Sequence, residues 1–206
     1  PAIGEMIREA HAAAEDAFGD DVGGIDVFRG DSWQMLVRRP ALALRIGLLM
    51  RALVRSNEEL PDVDTRLAIG VGSVAYVDEE NLSESQGEAF TLSGEALDTL
   101  QDSKVRIAVK VPQAWADRCG MLDIQATLDT MMALVDAVCD RWTATMAGAV
   151  AGSLRHLRQK EIAEVAGVSQ PAISKTLIAG RWDAIERQLL WWESLFGCHD
   201  EASDTI

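Results

Sequence analysis

The sequence contains little cysteine and no long apolar run. Its 206 residues include three cysteines, which lie far apart at Cys119, Cys139 and Cys198. That odd number and wide spacing fit neither a disulfide framework nor a four-ligand zinc site. The longest apolar stretch, residues 41–50, contains Arg45 and falls well short of the roughly 20 residues that cross a bilayer. We therefore expect a protein of the reducing cytoplasm, with no membrane segment, no bound metal and no cofactor.

Basic side chains are also scarce relative to acidic ones. The chain has 19 Lys and Arg against 33 Asp and Glu, which gives a formal net charge of -14. The imbalance is uneven, because residues 1–152 contain 13 basic and 25 acidic side chains, whereas residues 153–198 contain 6 and 5. Exposed charges are screened beyond roughly 8 to 10 Å. The near-neutral segment can therefore bind a polyanion although the whole chain is acidic.

The first part of the chain alternates helix and strand signals. Apolar residues at helical spacing predict helices over residues 3–18, 40–55 and 88–100. Runs rich in aromatic and β-branched residues predict strands within residues 25–28, 32–37, 66–77 and 105–111. This order predicts an α+β fold in which helices cover one face of a largely antiparallel sheet.

The segment LRQKEIAEVAGVSQPAISKTL, residues 157–177, has the pattern of a helix-turn-helix. Ala163 is small enough for a second helix to cross the first, and Gly167 tolerates the positive φ of a tight turn. Three apolar residues are expected to fill the shared core: Val168, Ile173 and Leu177. Ser169 is expected to cap the second helix, whereas Arg158 stands where Ser or Thr would stabilise the first helix by about 1 kcal/mol. An ordinary helical hairpin with a glycine turn is the alternative.

The polar face of the second predicted helix would enter the major groove of double-stranded DNA. Gln170 can read adenine through two hydrogen bonds, while basic side chains position the protein on phosphates. The predicted DNA-binding residues are Arg158, Lys160, Ser169, Gln170, Pro171, Ser174, Lys175 and Arg181.

Tryptophans are concentrated after this motif. Trp182, Ile185, Leu189, Trp192 and Leu195 recur at helical spacing. They predict a helix that seals the small C-terminal core, and a homodimer contact is the alternative because aromatic residues are enriched at interfaces. A two-fold dimer would double the contacts that a small DNA-binding module makes.

These patterns predict four consecutive segments. Residues 1–111 form the α+β domain, and residues 112–152 form a helical connector that contains one long helix over residues 122–154. Residues 153–198 form an all-α helix-turn-helix domain, and residues 199–206 are an acidic tail.

Several stretches together resemble the bacterial SatD-like proteins, over nearly the whole chain. They are FRGDSWQML (28–36), DTRLAIGVG (64–72), GEAFTLSGEALDTL (87–100) and the helix-turn-helix followed by WDAIE (182–186). SatD-like proteins are similar to class III nucleotidyl cyclases, whose ferredoxin-like α+β catalytic domains work as head-to-tail dimers. The resemblance implies a ferredoxin-like, nucleotidyl cyclase-like sandwich followed by the helix-turn-helix domain, in a homodimer.

The resemblance also implies that catalysis has been lost. Asp31 matches one of the two metal-binding carboxylates of the cyclases, but the other would end a first strand, and the sequence opens with a helix. That difference implies a further N-terminal strand or a partner chain in its place. Thr91 and Glu95 stand where cyclases have an Asn and an Arg that stabilise the transition state. The implied function is nucleotide sensing, at Arg29, Asp31, Arg45, Thr91 and Glu95.

A basic group stands out in the acidic N-terminal part: Arg38, Arg39, Arg45, Arg51 and Arg55. Such arginines are more often solvated or paired with nearby carboxylates than bound to a phosphate-bearing ligand or DNA. The sequence therefore favours a DNA-binding transcriptional regulator with an inactive cyclase-like domain. Two other functions stay open, an active cyclase controlled by a DNA-binding tail and a non-enzymatic scaffold for protein partners.

Overall fold

The computed structural model describes residues 3–28, 32–60, 63–78, 81–118 and 123–197. The helices are α1 (Ile3–Phe18), α2 (Pro40–Arg55), α3 (Glu88–Leu100), α4 (Gln113–Arg118), α5 (Ile124–Cys139), α6 (Ala144–Leu154), α7 (Gln159–Ala166), α8 (Gln170–Ala179) and α9 (Trp182–Gly197). The strands are β1 (Val22–Phe28), β2 (Ser32–Val37), β3 (Leu67–Gly70), β4 (Val74–Tyr76), β5 (Gln86–Gly87) and β6 (Ile107–Lys110). The predicted combination of helices and strands is confirmed, and so is the helical C-terminal region.

The chain forms two compact units. Unit 1 combines Pro1–Asp64 with Arg141–Ile206, and unit 2 is Thr65–Asp140. This division does not follow the consecutive segments predicted from the sequence. The physical reason is that α2 packs against both α6 and α9, so the C-terminal helices share a core with the N-terminal segment.

Helix α2 lies at the centre of unit 1. Pro40 stands in its first turn, where a missing N–H costs nothing. Buried residues follow one another from Leu44 to Ala52 because α1, α6 and α9 all pack against this helix. The apolar run at residues 41–50 thus serves a protein core. None of the helices in the described ranges has the length and apolar content that a membrane span requires.

Helix α9 contributes the other large part of this core. Trp192 is completely buried beside the ring of Phe196, with the ring centroids 4.3 Å apart. The indole Nε1 of Trp192 donates to the carbonyl oxygen of Pro40 at 2.9 Å, which attaches α9 to the start of α2. Ile185 and Leu189 are buried as well. The predicted core function of this helix is confirmed, although its partner is α2 as well as the helix-turn-helix.

The strands of the described ranges form three two-stranded sheets rather than the single predicted sheet. β1 and β2 form the predicted antiparallel hairpin, with Ile25 opposite Met35 and Val27 opposite Trp33. β4 and β5 are also antiparallel, whereas β3 and β6 are parallel.

Glycines explain how α3 packs on the β3–β6 pair in unit 2. A Cβ atom at Gly70 would lie 2.1 Å from the carbonyl oxygen of Ala89, and one at Gly72 would lie 2.9 Å from the Ala89 nitrogen. Only glycine permits such a close approach of strand and helix. These two glycines therefore bring the backbones of strand and helix together.

The predicted continuous helix over residues 122–154 is wrong. The chain turns between α5 and α6, and the Thr143 side chain caps α6 by accepting from the Met146 N–H at 3.3 Å. Trp142, in the turn, is buried and donates its Nε1 proton to the Gly180 carbonyl at 2.9 Å.

Candidate nucleic-acid interface

Helices α7 and α8 form the predicted two-helix motif. Gly167 ends α7 with φ 65°, the left-handed conformation that favours glycine. The N–H of Val168 then donates to the carbonyl of Ala163 at 3.0 Å, which closes the end of the helix. Ile162 and Ala163 of α7 are buried, as are Ile173 and Leu177 of α8. The turn and most of the predicted shared core are confirmed.

Two details of the predicted motif are wrong. Val168 is 49% exposed instead of buried, because its backbone is used to close α7 and its side chain points outward from the turn. Ser169 occupies the cap position of α8, but its hydroxyl does not accept from the helix amides. The Ser169 carbonyl accepts from the Ala172 N–H at 2.9 Å instead. The hydroxyl of Ser169 therefore remains available at an exposed residue.

Arg158 occupies the cap position before α7 and has no hydroxyl that could cap the helix. Glu161 forms hydrogen bonds with Arg158 instead. Glu161 Oε2 accepts from the Arg158 backbone N–H at 2.7 Å, and its Oε1 accepts from the Arg158 guanidinium at 2.9 Å. These hydrogen bonds raise the pKa of Arg158 and lower the pKa of Glu161. The Arg158 side chain is 84% exposed. Arg158 can reach a phosphate, but only with a carboxylate beside it.

The start of α8 presents the face that the sequence predicts for DNA. Gln170 and Ser174 are one helical turn apart, as are Pro171 and Lys175, so these side chains lie on neighbouring lines of one surface. Ser174 is half-buried, and the other three residues are exposed. Arg181 follows the end of α8. At a rise of 1.5 Å per residue, it lies about 16 Å from Gln170 along the helix axis.

Lys160 stands at the start of α7 with a largely exposed side chain. Its Nζ is 3.9 Å from an oxygen of Glu164, and both side chains are well exposed. Such a long pair in solvent contributes little and exchanges readily for another anion. Lys160 and Lys175 are thus the basic side chains of the motif best suited to phosphate.

Sequence reasoning missed Gln159, the first residue of α7. Its Oε1 accepts a hydrogen bond from Nε2 of Gln170, the first residue of α8, at 2.6 Å. The bond joins the starts of both helices at the surface expected to face DNA. The feature of the sequence that could have indicated this contact is a glutamine at the start of each predicted helix.

Close contacts hold the two-helix motif on the rest of unit 1. A Cβ atom at Gly152 of α6 would lie 2.7 Å from Cγ1 of Ile162, so α6 and α7 approach closely. The Trp142 indole holds the end of α8 through Gly180. At the end of α6, the His156 ring meets the Phe18 ring edge-on, with centroids 6.1 Å apart. The motif therefore has a fixed position within unit 1.

The predicted ligand-binding residues are not supported as a set. Arg29 and Asp31 lie outside the described residues. Arg45, in unit 1, is 4% exposed and donates from Nε to Glu193 Oε1 at 2.7 Å, so it is engaged within the fold. Thr91 and Glu95 lie on α3 of unit 2, where both are exposed.

Three of the remaining arginines of the N-terminal group, Arg39, Arg51 and Arg55, pair with carboxylates, as expected. Arg39 forms a two-bond contact with Asp21 at the surface. Arg51 donates to Asp64 at 2.9 and 2.8 Å, and Arg55 donates to the same carboxylate at 2.7 Å. These cations are engaged within the fold, which removes them from the candidate interface.

The described residues contain no cluster of three or more His, Cys, Asp and Glu side chains that could hold a metal ion. No family model matches the chain, and comparisons with curated proteins and with solved structures also give no match. The resemblance to SatD-like proteins thus rests on the sequence motifs alone.

Proposed function

We propose that the protein is a DNA-binding transcriptional regulator that presents α8 to the major groove of double-stranded DNA. The observation that carries this proposal is the exposed polar face at the start of α8, on a motif whose other side is buried. A helix that enters a groove needs such a free face on a rigid support.

The acidity of the whole chain is compatible with this function. Phosphate attraction depends on charges within about one screening length, so remote carboxylates contribute little. Lys160, Lys175 and Arg181 are exposed at or near the motif. They would position the protein on the backbone, while Gln170 would contact a base. Affinity should be modest for one motif and strongly dependent on salt.

We further propose that the protein binds as a homodimer. One small motif offers few base contacts, and a second copy related by two-fold symmetry would double them at half-sites about one helical turn apart. Sedimentation of the full chain, free and bound to DNA, measures the number of copies directly.

The cyclase-like relationship is kept as a proposal for unit 2. What supports it is that β3 and β6 are parallel and that α3, which follows β4 and β5 in the chain, packs against both, as a helix does in half of a ferredoxin-like fold. We infer a domain without cyclase activity, because Thr91 and Glu95 provide no cation for developing phosphoryl charge. A nucleotide effector would bind there, and calorimetry with linear and cyclic nucleotides tests this.

The proposed function is tested with genomic fragments of the host and the purified full chain. A Gln170→Ala, Lys175→Ala double variant should weaken specific binding by about 10- to 100-fold, since a base contact alone contributes roughly 1 to 3 kcal/mol. The matched control is Gln101→Ala, Lys104→Ala, which removes an exposed Gln and Lys from unit 2 and should leave binding unchanged. Failure of the unchanged protein to shift any fragment at low salt would refute the proposal.

A further inference from the structure

Helix α5 of unit 2 has an exposed face with very little charge. The exposed residues within this helix are Ala126, Asp129, Thr130, Leu134 and Ala137. All of them except Asp129 follow the helical period on the side opposite to the buried residues Leu128 and Met132. We name these four residues the α5 stripe. Its largest side chain, Leu134, is 66% exposed.

Other helices of the chain expose charged residues instead. In α3, which belongs to the same unit, the exposed residues include Glu88, Glu95 and Asp98. Charged side chains are the usual content of a helix face in water. Charge also keeps copies of a protein apart, and this chain has a formal net charge of -14. The α5 stripe is therefore a surface where a second copy can approach without bringing like charges together.

Opposite charges stand at the two ends of the α5 stripe. Asp123 precedes the helix and caps it, since its Oδ1 accepts from the Ala126 N–H at 3.0 Å. Asp140 follows the helix with helical backbone angles, φ -61° and ψ -23°, so the chain continues in the same direction to Arg141. Asp123 and Arg141 are both exposed, and they stand about five turns apart at 3.6 residues per turn. Both therefore lie on the line of the stripe.

The charged ends make the stripe complementary to a second copy of itself. If the second α5 lies antiparallel across a two-fold axis midway along the helix, each Asp123 faces Arg141 of the other copy. Each Leu134 then faces Thr130 of the other copy, whose side chain is smaller. A parallel pair would place Asp123 beside Asp123 and Arg141 beside Arg141, which is unfavourable. The charges thus favour the antiparallel pair, in which two-fold symmetry makes every contact occur twice.

We propose that two copies of the chain pair through the α5 stripe, with the two helices antiparallel. The inference rests on the proposed homodimer and adds the surface at which the copies meet. Helix α5 has 16 residues, so it is about 24 Å long. Such a contact is smaller than a standard interface of roughly 800 Å² per partner. The pair should therefore dissociate on dilution, and it does not require DNA.

The first test is sedimentation of the full chain without DNA over a range of concentrations. Leu134→Glu should raise the dimer dissociation constant by about tenfold or more, because the lost apolar contact and the added charge occur in both copies. The matched control is Leu97→Glu, at a leucine of α3 that is 48% exposed, and it should leave the constant unchanged. Similar thermal unfolding of the two variants excludes a folding defect.

The second test uses the charged ends. Arg141→Glu and Asp123→Lys should each weaken pairing about threefold or more at low salt, because each places like charges together at both ends, and high salt should reduce this effect. An equal mixture of the two variants should recover most of the pairing, since every acidic end then faces a basic one. Asp123→Lys also removes the cap of α5, so its thermal unfolding is measured first. Arg66→Glu, at another exposed arginine of unit 2, should have no such effect.

These results separate the inference from the proposed function. A dimer that Leu134→Glu leaves unchanged, or a charge mixture without recovery, would overturn the α5 assignment, and the homodimer would then use another surface. A chain that stays monomeric without DNA would overturn it as well and leave the α5 stripe to a different partner. The proposed homodimer fails only if a single copy is also found on DNA. A dimer sensitive to Leu134→Glu supports the inference even if no genomic fragment is bound, a result that would refute DNA binding alone.

Discussion

Two groups of basic side chains in unit 1 differ in their exposure to solvent. The arginines of α2 are directed into the fold, where the Arg51 side chain is 0% exposed and that of Arg45 is 5% exposed. The cations at the start of α7 face solvent, with side-chain exposure of 84% for Arg158 and 82% for Lys160. The sequence shows both groups as basic clusters. Availability for an anionic partner depends on what surrounds each cation, and local sequence does not contain that information.

The difference follows from how many neighbours each helix has. α2 packs against α1, α6 and α9, so an arginine on almost any side of it enters the core and needs a carboxylate there. α7 and α8 bury one face each and leave the other in water. The contrast predicts that changes around α2 alter stability, whereas changes around α7 and α8 alter DNA binding.

The largest effect is expected from Asp64→Ala. Its side chain is 4% exposed and accepts from both Arg51 and Arg55. Removing the carboxylate that faces a completely buried guanidinium should lower the free energy of unfolding by about 3 to 5 kcal/mol. The control is Asp21→Ala, which breaks the surface pair with Arg39 and should cost less than about 1 kcal/mol. Urea denaturation measures both, and equal losses would contradict the contrast.

Trp142→Phe should have a smaller effect on stability and a specific effect on DNA binding. The variant leaves the buried Gly180 carbonyl at the end of α8 without the indole donor, which should cost about 1 to 3 kcal/mol. Trp192→Phe removes a similar indole bond, to Pro40. Both variants should unfold more easily, but only Trp142→Phe should weaken DNA binding at a temperature where both are folded. The same DNA affinity for the two variants would show that the position of α8 does not depend on Trp142.

Arg181→Gly should change stability and DNA binding in opposite directions. Arg181 has φ 57°, a left-handed conformation that costs a non-glycine residue roughly 1 kcal/mol. Glycine should therefore raise the free energy of unfolding by up to about 1 kcal/mol, as long as its greater freedom in the unfolded chain does not cancel the gain. Loss of the cation should reduce the salt dependence of DNA binding. A variant with lower stability and unchanged salt dependence would disagree with both expectations.

The smallest effect is expected from Glu161→Gln. The hydrogen bond from Arg158 lowers the pKa of Glu161, so the stabilising contact is complete at neutral pH. It is lost as the pH falls through that lowered pKa, below the ordinary value of 4.5. The unchanged protein should thus have a slightly higher Tm than the variant at pH 7, and this difference should disappear in acid. DNA affinity of the variant should rise a few-fold, because Arg158 loses its competing carboxylate.

The local elements could be predicted because their signals are local. The helices at residues 3–18 and 40–55 and the glycine turn at Gly167 follow from spacing, proline and glycine positions, and the structure has them there. The break between α5 and α6 could not be predicted in this way, because apolar residues continue at helical spacing through it, and the contact that Trp142 makes in the turn is with Gly180, 38 residues later. The central position of α2 in unit 1 likewise depends on contacts with helices that lie about a hundred residues or more away in the chain.

The same limit applies to the candidate site. The exposed residues of α8 follow from the helical period once the core face is known. The pairing of Arg45 with Glu193 could not be predicted, because Glu193 lies 148 residues later in the chain. Gln159 was missed because its hydrogen bond with Gln170 requires the relative placement of two helices.

The salt dependence of DNA binding by the full chain tests the central claim most directly. The logarithm of the association constant should fall linearly with the logarithm of salt concentration, and Lys175→Gln should reduce the slope by about 0.9. Arg39→Gln, which removes a cation paired with Asp21, should leave the slope as it is. No binding at about 50 mM salt, or the same slope for Lys175→Gln and the unchanged protein, would contradict the assignment of α8 to the DNA surface.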